Sequence, residues 1–206
     1  MKKNTFFSLA VMAMALLINA GCSNNTTAKE ETSVKDTSAT SMPSVTNPNF
    51  SIAPMEYVTL SERAFSLMTA LNFDAWGDML ADNVVYSFPD GDVDTRTKLE
   101  GRAAVVGWWK TWKEKAGVQS MTMTEFNHFP LNVTAQPKGG APMGIYDFVY
   151  FSNKIFFGDK AVSLRMNFVL HFNADKKIDR YVTYYDRSVI IKATGKNILE
   201  ETKAGK

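Results

Sequence analysis

A carboxylate set among aromatic rings is the feature of this sequence with the clearest chemical potential. Asp147 stands between Tyr146 and Phe148 on a segment that alternates with period two. Parity on such a segment groups it with Ile145, Val149 and Phe151, so an inward-facing Asp147 could give and take a proton beside a second polar group. Solvation, or pairing with an arginine, is the alternative. The two histidines, His128 and His171, also fall on strand-like segments, and neither has the spacing to Asp or Glu that makes a metal-binding set, so no metal and no cofactor is expected. His171 is expected on the polar face of its strand, at the surface or an interface, and His128, beside Phe129-Pro130, packed at a strand end. The remaining candidates are rings: Trp76, Trp108, Trp109 and Trp112 with Tyr86, Phe88 and Phe168. Rings at helical spacing form core, but an apolar ligand cavity is walled by the same residues.

The single thiol, Cys22, belongs to a different chemistry. Met1-Lys2-Lys3-Asn4 precedes an apolar stretch from Phe6 to Ile18, and Asn19-Ala20-Gly21 leads into the cysteine. This is the charged, apolar and small-residue order of a secretory signal, too short to remain as a permanent span. It resembles a bacterial lipoprotein signal, residues 1–22, with Asn19 where Leu is usual. That resemblance implies lipidation of Cys22, which would anchor the chain to a membrane of the cell envelope through its acyl groups. An ordinary secretory signal cut after Ile18-Asn19-Ala20 stays open. No cysteine remains for a disulfide, so stability rests on packing. The formal charge of +2 is scattered, with no basic stripe, which argues against nucleic acid.

These residues need elements to position them. Residues 23–54 are rich in Ser, Thr, Asn and Lys, a composition that reads as a disordered tether. Residues 55–191 suffice for one domain, and 192–206 read as a polar tail. Thr59-Leu60-Ser61-Glu62 has the pattern of a capping box opening a first helix, with Phe65, Leu67, Met68 and Leu71 following at helical spacing. A short helix from Asp74 to Leu80, capped by Asp74, comes next. Val84 to Phe88 reads as a strand stopped by Pro89-Asp90-Gly91, and Gly101 to Lys115 as a third helix. Four alternating segments complete the chain: Met121–Val133, Ile145–Phe157, Val162–Phe172 and Ile178–Ile190. In the third of these, Leu164, Met166, Phe168, Leu170 and Phe172 are expected inside, with Ser163, Arg165, Asn167, Val169 and His171 outside. Helices first and long strands last predict an α+β class, with a curved, mixed or antiparallel sheet wrapped around three helices.

The order of elements and several strings resemble the nuclear transport factor 2-like superfamily, with its SnoaL-like polyketide cyclase and ketosteroid isomerase branches. The strings are Leu80-Ala81-Asp82-Asn83-Val84-Val85-Tyr86 running into Pro89, Gly101-Arg102-Ala103-Ala104-Val105, Phe172-Asn173-Ala174-Asp175-Lys176-Lys177-Ile178, and Tyr184-Tyr185-Asp186. The resemblance implies a cone-shaped α+β roll with a pocket. It sets the isomerase's oxyanion tyrosine near Leu67, its general base at Phe88 and its protonated aspartate at Phe168. Hydrocarbon side chains can neither take nor donate that proton, so ketosteroid isomerase chemistry is absent at these positions. The cyclase branch implies Asp186 as an acid and base, its pKa raised at the mouth of an apolar pocket near Tyr184 or Tyr185, and an inward-facing Asp147 could complete a pair with it; capping a turn, or pairing with Arg180 or Arg187, is the alternative. Leu67, Trp76, Tyr86, Phe88, Trp109, Trp112, Phe168 and Tyr185 are the expected pocket wall.

Three functions follow from this reading: a non-catalytic module that binds a small apolar or aromatic molecule, an enzyme using Asp186, and a homodimer-forming interaction domain. An enzyme needs a buried carboxylate, a second polar group within hydrogen-bond reach and space beside them. A binder needs the space alone.

Overall fold

A computed structural model describes residues 49–90, 97–195 and 197. The signal, Cys22, most of the expected tether and the end of the tail lie outside these residues. In chain order the elements are β1 (Phe50–Ile52), α1 (Glu56–Thr69), α2 (Phe73–Gly77), β2 (Leu80–Ser87), β3 (Lys98–Glu100), α3 (Arg102–Ala116), β4 (Val118–Val133), β5 (Gly144–Phe157), β6 (Lys160–Phe172), β7 (Ile178–Tyr185) and α4 (Ser188–Thr194). The strands form one mixed sheet in the order β1-β4-β5-β6-β7-β2-β3. Every pairing is antiparallel except β2 with β7, which is parallel and requires the long crossover through α3 and β4 to β6. The α+β expectation holds, with helices gathered on one face of the sheet.

Local chemistry moves several boundaries. The helix α1 opens at Glu56, a turn ahead of Thr59, whose N–H is already bonded to Met55 O. Asn72, not Asp74, caps α2: its side chain accepts the Ala75 N–H at 3.2 Å, while Asp74 pairs with Lys110 of α3 at 2.5 Å. The strand β7 stops at Tyr185, and the chain turns into α4 where continuous strand to Ile190 was expected. A further strand, β1, falls within the expected tether: Phe50 to Ile52 pair with Val133 to Leu131. Three residues between polar stretches carry too little periodicity to announce a strand, and their pairing is supplied by the length of β4.

The core lies between α1, α2, α3 and the inner face of the sheet. On β6 the predicted faces hold, with Leu164, Met166, Phe168, Leu170 and Phe172 all buried inside. Aromatic side chains account for much of the filling. Phe73, Trp76 and Trp109 meet at 5.8–6.5 Å, and Tyr86 stacks on Tyr181 at 5.4 Å. A fully buried ring of this kind removes about 150–250 Å² from water, worth roughly 4–6 kcal/mol before the entropy of ordering it. The helices α2 and α3 approach so closely that a Cβ on Gly77 would sit 2.6 Å from Val106 Cγ2. Gly117, at φ +66°, ends α3 in the left-handed conformation that glycine adopts freely.

Candidate functional site

The interior of the sheet carries two polar features, and sequence parity placed only half of the first. Asp147 is inside and fully buried, on the same face of β5 as Val149 and Phe151. Its partner is His128: Nδ1 lies 2.7 Å from Asp147 Oδ2. Thus Asp147 is neither solvated nor paired with an arginine, and His128 is not at a strand end. The physical reason is a bulge in β4 between Thr124 and Asn127, where Glu125 takes φ +58°. An extra residue in one strand reverses the inside-outside parity beyond it. Met121 and Met123 point inward before the bulge, and Phe126 and His128 do so after it, so simple alternation read across the segment assigns His128 to the wrong face.

Around this pair, buried polar atoms outnumber their partners. Asp147 Oδ1, His128 Nε2 and Ser61 Oγ are buried without a protein hydrogen bond, and the buried Tyr181 hydroxyl and Trp76 Nε1 have no well-formed bond beyond their approach to each other. Asp147, Leu170 and Tyr181 are neighbours across β5, β6 and β7. Burial pushes the Tyr181 hydroxyl well above the ordinary tyrosine range; the Asp147 charge pushes the same way and the Trp76 indole N–H opposes it. With Nδ1 held by a carboxylate, a neutral imidazole presents Nε2 as a base, and Tyr181 is a protonated donor nearby.

The second feature is a small cavity of about 30 Å³ farther along the interior, room for about one water. Four thioethers, Met68, Met121, Met123 and Met166, share its wall with Trp108, Trp109 and Trp112. Phe168, Tyr185 and Ile190 close it, Ile190 reaching in from α4. Two polar atoms of the wall are buried without a protein partner: Asn153 Oδ1, an acceptor, and Trp109 Nε1, a donor. Asn153 Nδ2 is engaged with Met166 Sδ at 3.8 Å. Two larger hollows, of about 570 and 610 Å³, are open surface grooves that contain none of the His128–Asp147 pair's atoms.

Of the expected pocket wall, Trp109, Trp112, Phe168 and Tyr185 line this cavity. Leu67, Trp76, Tyr86 and Phe88 do not. Trp76 and Tyr86 pack on Tyr181, Phe88 packs on Trp108 at 4.6 Å, and Leu67 is half-buried against the core. Rings that pack on one another leave no space between them. Asp186 is outside the interior altogether: it is exposed, and Oδ1 accepts the Ser188 N–H at 2.9 Å. Hydrogen bonds from the Ser188 side chain first, and from its backbone N–H second, hold its pKa below the usual carboxylate value, the reverse of what an acid–base role at a pocket mouth requires. It also lies five residues beyond Tyr181, which is level with Asp147, or roughly 17 Å along the strand direction. The two aspartates form no pair. His171 departs from expectation as well, being buried on the outer side of β6 with Nδ1 2.5 Å from Asp179 Oδ1 and Nε2 3.0 Å from Met143 O.

Among the described residues no group of three His, Cys, Asp or Glu side chains could hold a metal ion. No protein-family model and no curated protein matches the chain. Solved structures do match. A candidate isomerase from Bacillus subtilis aligns with TM-score 0.51 and 15% identity over 68% of this chain and 93% of its own. RV0760c from Mycobacterium tuberculosis aligns with TM-score 0.51 and 17% identity over 68% of this chain and 97% of its own. An NTF2-like protein from Anabaena variabilis gives TM-score 0.49 and 14% identity over 66% and 92%. At such identities the Bacillus subtilis and Mycobacterium tuberculosis likenesses define the fold and leave activity open. The fold is nuclear transport factor 2-like.

Proposed function

We propose that this domain binds a small, largely apolar molecule in the methionine- and tryptophan-walled cavity, and that the chain is exported and held at the cell envelope by acylated Cys22. The observation supporting the binding reading is the wall itself: an apolar lining with one free buried acceptor, Asn153 Oδ1, and one free buried donor, Trp109 Nε1. A hydroxyl both donates and accepts, so a ring or chain bearing a hydroxyl suits the pair. At about 30 Å³ the cavity must enlarge to take more than a water. Methionine is the side chain best able to allow that, since its unbranched thioether repacks at low cost. Native mass spectrometry of the protein from its own host, with the denatured protein as control, tests this reading. A reproducible extra mass lost on denaturation and weakened by Asn153→Leu supports it; a bare protein that also fails to shift its melting temperature with hydroxylated apolar compounds counts against it. The anchoring half is tested by the mass of the processed N-terminus, which carries acyl chains on Cys22 or does not.

A second reading has its own observation. The His128–Asp147 pair, with the Tyr181 hydroxyl beside it, has a base and a donor in one place, as proton transfer next to a carbonyl requires. Turnover of an enolisable ketone lost in both Asp147→Asn and His128→Gln, and kept in Asp186→Asn, would move the conclusion to an enzyme.

A further inference from the structure

One corner of the domain is largely apolar and exposed, and it is the corner at which the described chain enters the fold. Ile52 is 81% exposed, Met55 66%, Phe129 52%, Met143 51% and Phe50 44%. Only three other large hydrophobic residues among those described are exposed, Tyr150, Tyr184 and Val189, and two of these are tyrosines.

The register places the five together. Phe50 and Ile52 of β1 pair with Val133 and Leu131 of β4, and alternation puts Phe129 on the same outer face. Val133 in turn pairs with Gly144, next to Met143, and Ala53 N–H bonds Pro130 O just before Met55. The two segments that build this corner, 49–55 and 126–146, contain no acidic residue and, apart from the inward-facing His128, one basic residue, Lys138. In the centre of the sheet, by contrast, Tyr146 and Val169 on the same outer face are already buried. Exposed apolar surface without a hydroxyl therefore collects at the sheet's edge and at strand ends, while the exposed rings on the outer face of the middle strands, Tyr150 and Tyr184, are tyrosines.

We propose that this corner is a membrane-docking surface: Phe50, Ile52, Met55, Phe129 and Met143 enter the interfacial layer of a lipid bilayer, with Lys138 among the headgroups. The chain's own order favours a bilayer as occupant, because β1 follows directly on the segment that begins at Cys22. An acylated Cys22 keeps the domain at high effective concentration near lipid, so a weak second contact suffices to hold it down. The carboxylate next to Met55, Glu56, is paired with Lys176 at 2.6 Å, so the patch meets little repulsion at an anionic surface. The proposal rests on the reading of this chain as a lipid-anchored envelope protein. It predicts that the domain lies on the membrane by its β1 edge, with the β5–β6 turn at Asp159 pointing away, since β5 runs from this corner for roughly 43 Å.

The experiment uses the mature chain purified from host membranes and returned to vesicles of phosphatidylethanolamine and phosphatidylglycerol in equal parts. Acylation blocks the chain's only native thiol, so Ile52→Cys or Asp159→Cys supplies the single site for an environment-sensitive fluorophore. The expected result is a blue-shifted label at position 52 that is quenched severalfold more by bromine-bearing lipids than the label at position 159. Equal, weak quenching at both positions overturns the proposal. So does a blue shift at position 52 that persists in vesicle-free solution together with a doubled mass, because a second copy would then cover the corner. If the fluorophore also labels Cys22, the anchor reading fails by itself. Vesicle flotation of that unacylated chain, against its Ile52→Ser/Phe129→Ser variant, then decides the docking surface: flotation lost in the variant upholds it, and equal flotation overturns it.

Discussion

At the scale of residues, His128 and Asp147 show how much a buried polar pair costs when half of it is removed. Asp147 is fully buried, the His128 side chain is 10% exposed, and each satisfies the other at 2.7 Å, so truncating one leaves its partner without that hydrogen bond at the core. Such a group costs about 1–3 kcal/mol. His128→Ala and Asp147→Ala should each destabilise the domain by about that much in urea unfolding, and the double variant should cost less than the two losses added. Strict additivity would mean the two side chains are not coupled. Asp186 is the opposite case. Its carboxylate is exposed and its depressed pKa comes from the Ser188 side chain and, behind it, the Ser188 N–H, so it favours the folded state above the usual carboxylate range and loses that contribution as the pH falls. Asp186→Asn should leave any bound mass unchanged; loss of the ligand on that substitution would return Asp186 to the site. The sequence announced Asp147 through its parity with Val149 and Phe151. It could not announce His128, because the bulge at Glu125 that turns it inward has no signature in residue type.

Among the elements, the helices hold the tryptophans in place through close contacts that tolerate little added volume. Gly77 faces Val106 across the α2–α3 contact, and the β-branched valine has few rotamers with which to retreat from a methyl 2.6 Å away. Gly77→Ala should cost about 1–3 kcal/mol by overpacking, and Val106→Ala should restore most of it in the double variant. Failure of the rescue would put the cost in the backbone. The helix α4 is a different kind of element. It is held at its start by the Arg187–Asp90 ion pair and at its end by Lys160 Nζ donating to Ala193 O at 2.9 Å, and it presses Ile190 into the cavity. Ile190→Ala should cost about 2 kcal/mol or more and raise quenching of the cavity tryptophans by acrylamide. Unchanged quenching would mean that α4 does not control access. Hydrophobic period located α1, α3 and the four long strands, because each carries enough turns or alternations to be read alone. The short elements β1, β3 and α4 gain their stability from neighbours distant in sequence, so their local pattern is weak.

For the whole molecule, the fold was legible where patterns are long: helices first, strands last, and a sheet curved over an aromatic interior. The ligand was not, because an aromatic residue looks the same in sequence whether it faces a cavity or another ring. That interior nevertheless makes a prediction that depends on the domain as a unit. Tyr86 and Tyr181 are buried, and burial raises the pKa of both hydroxyls, with neighbouring tyrosines adding to the shift at Tyr86 and the Asp147 charge at Tyr181. In the unfolded chain each titrates near the ordinary value of about 10. Below that pH both states are protonated and the tyrosines contribute no pH dependence. Above it the unfolded chain releases protons that the folded domain keeps, so stability falls as the pH rises through 10 toward the folded pKa. Each such group adds a slope of about 1.4 kcal/mol per pH unit, or about 2.7 for the two together. Urea unfolding between about pH 10 and 11.5 should therefore show a steep alkaline loss, and Tyr181→Phe should flatten it by about 1.4 kcal/mol per unit while changing stability at pH 7 far less. Lysines titrate in the same interval in both proteins, so the difference between the two slopes isolates Tyr181. Identical slopes would mean that the Tyr181 hydroxyl ionises in the folded domain as readily as in water, and that this end of the interior is open to solvent.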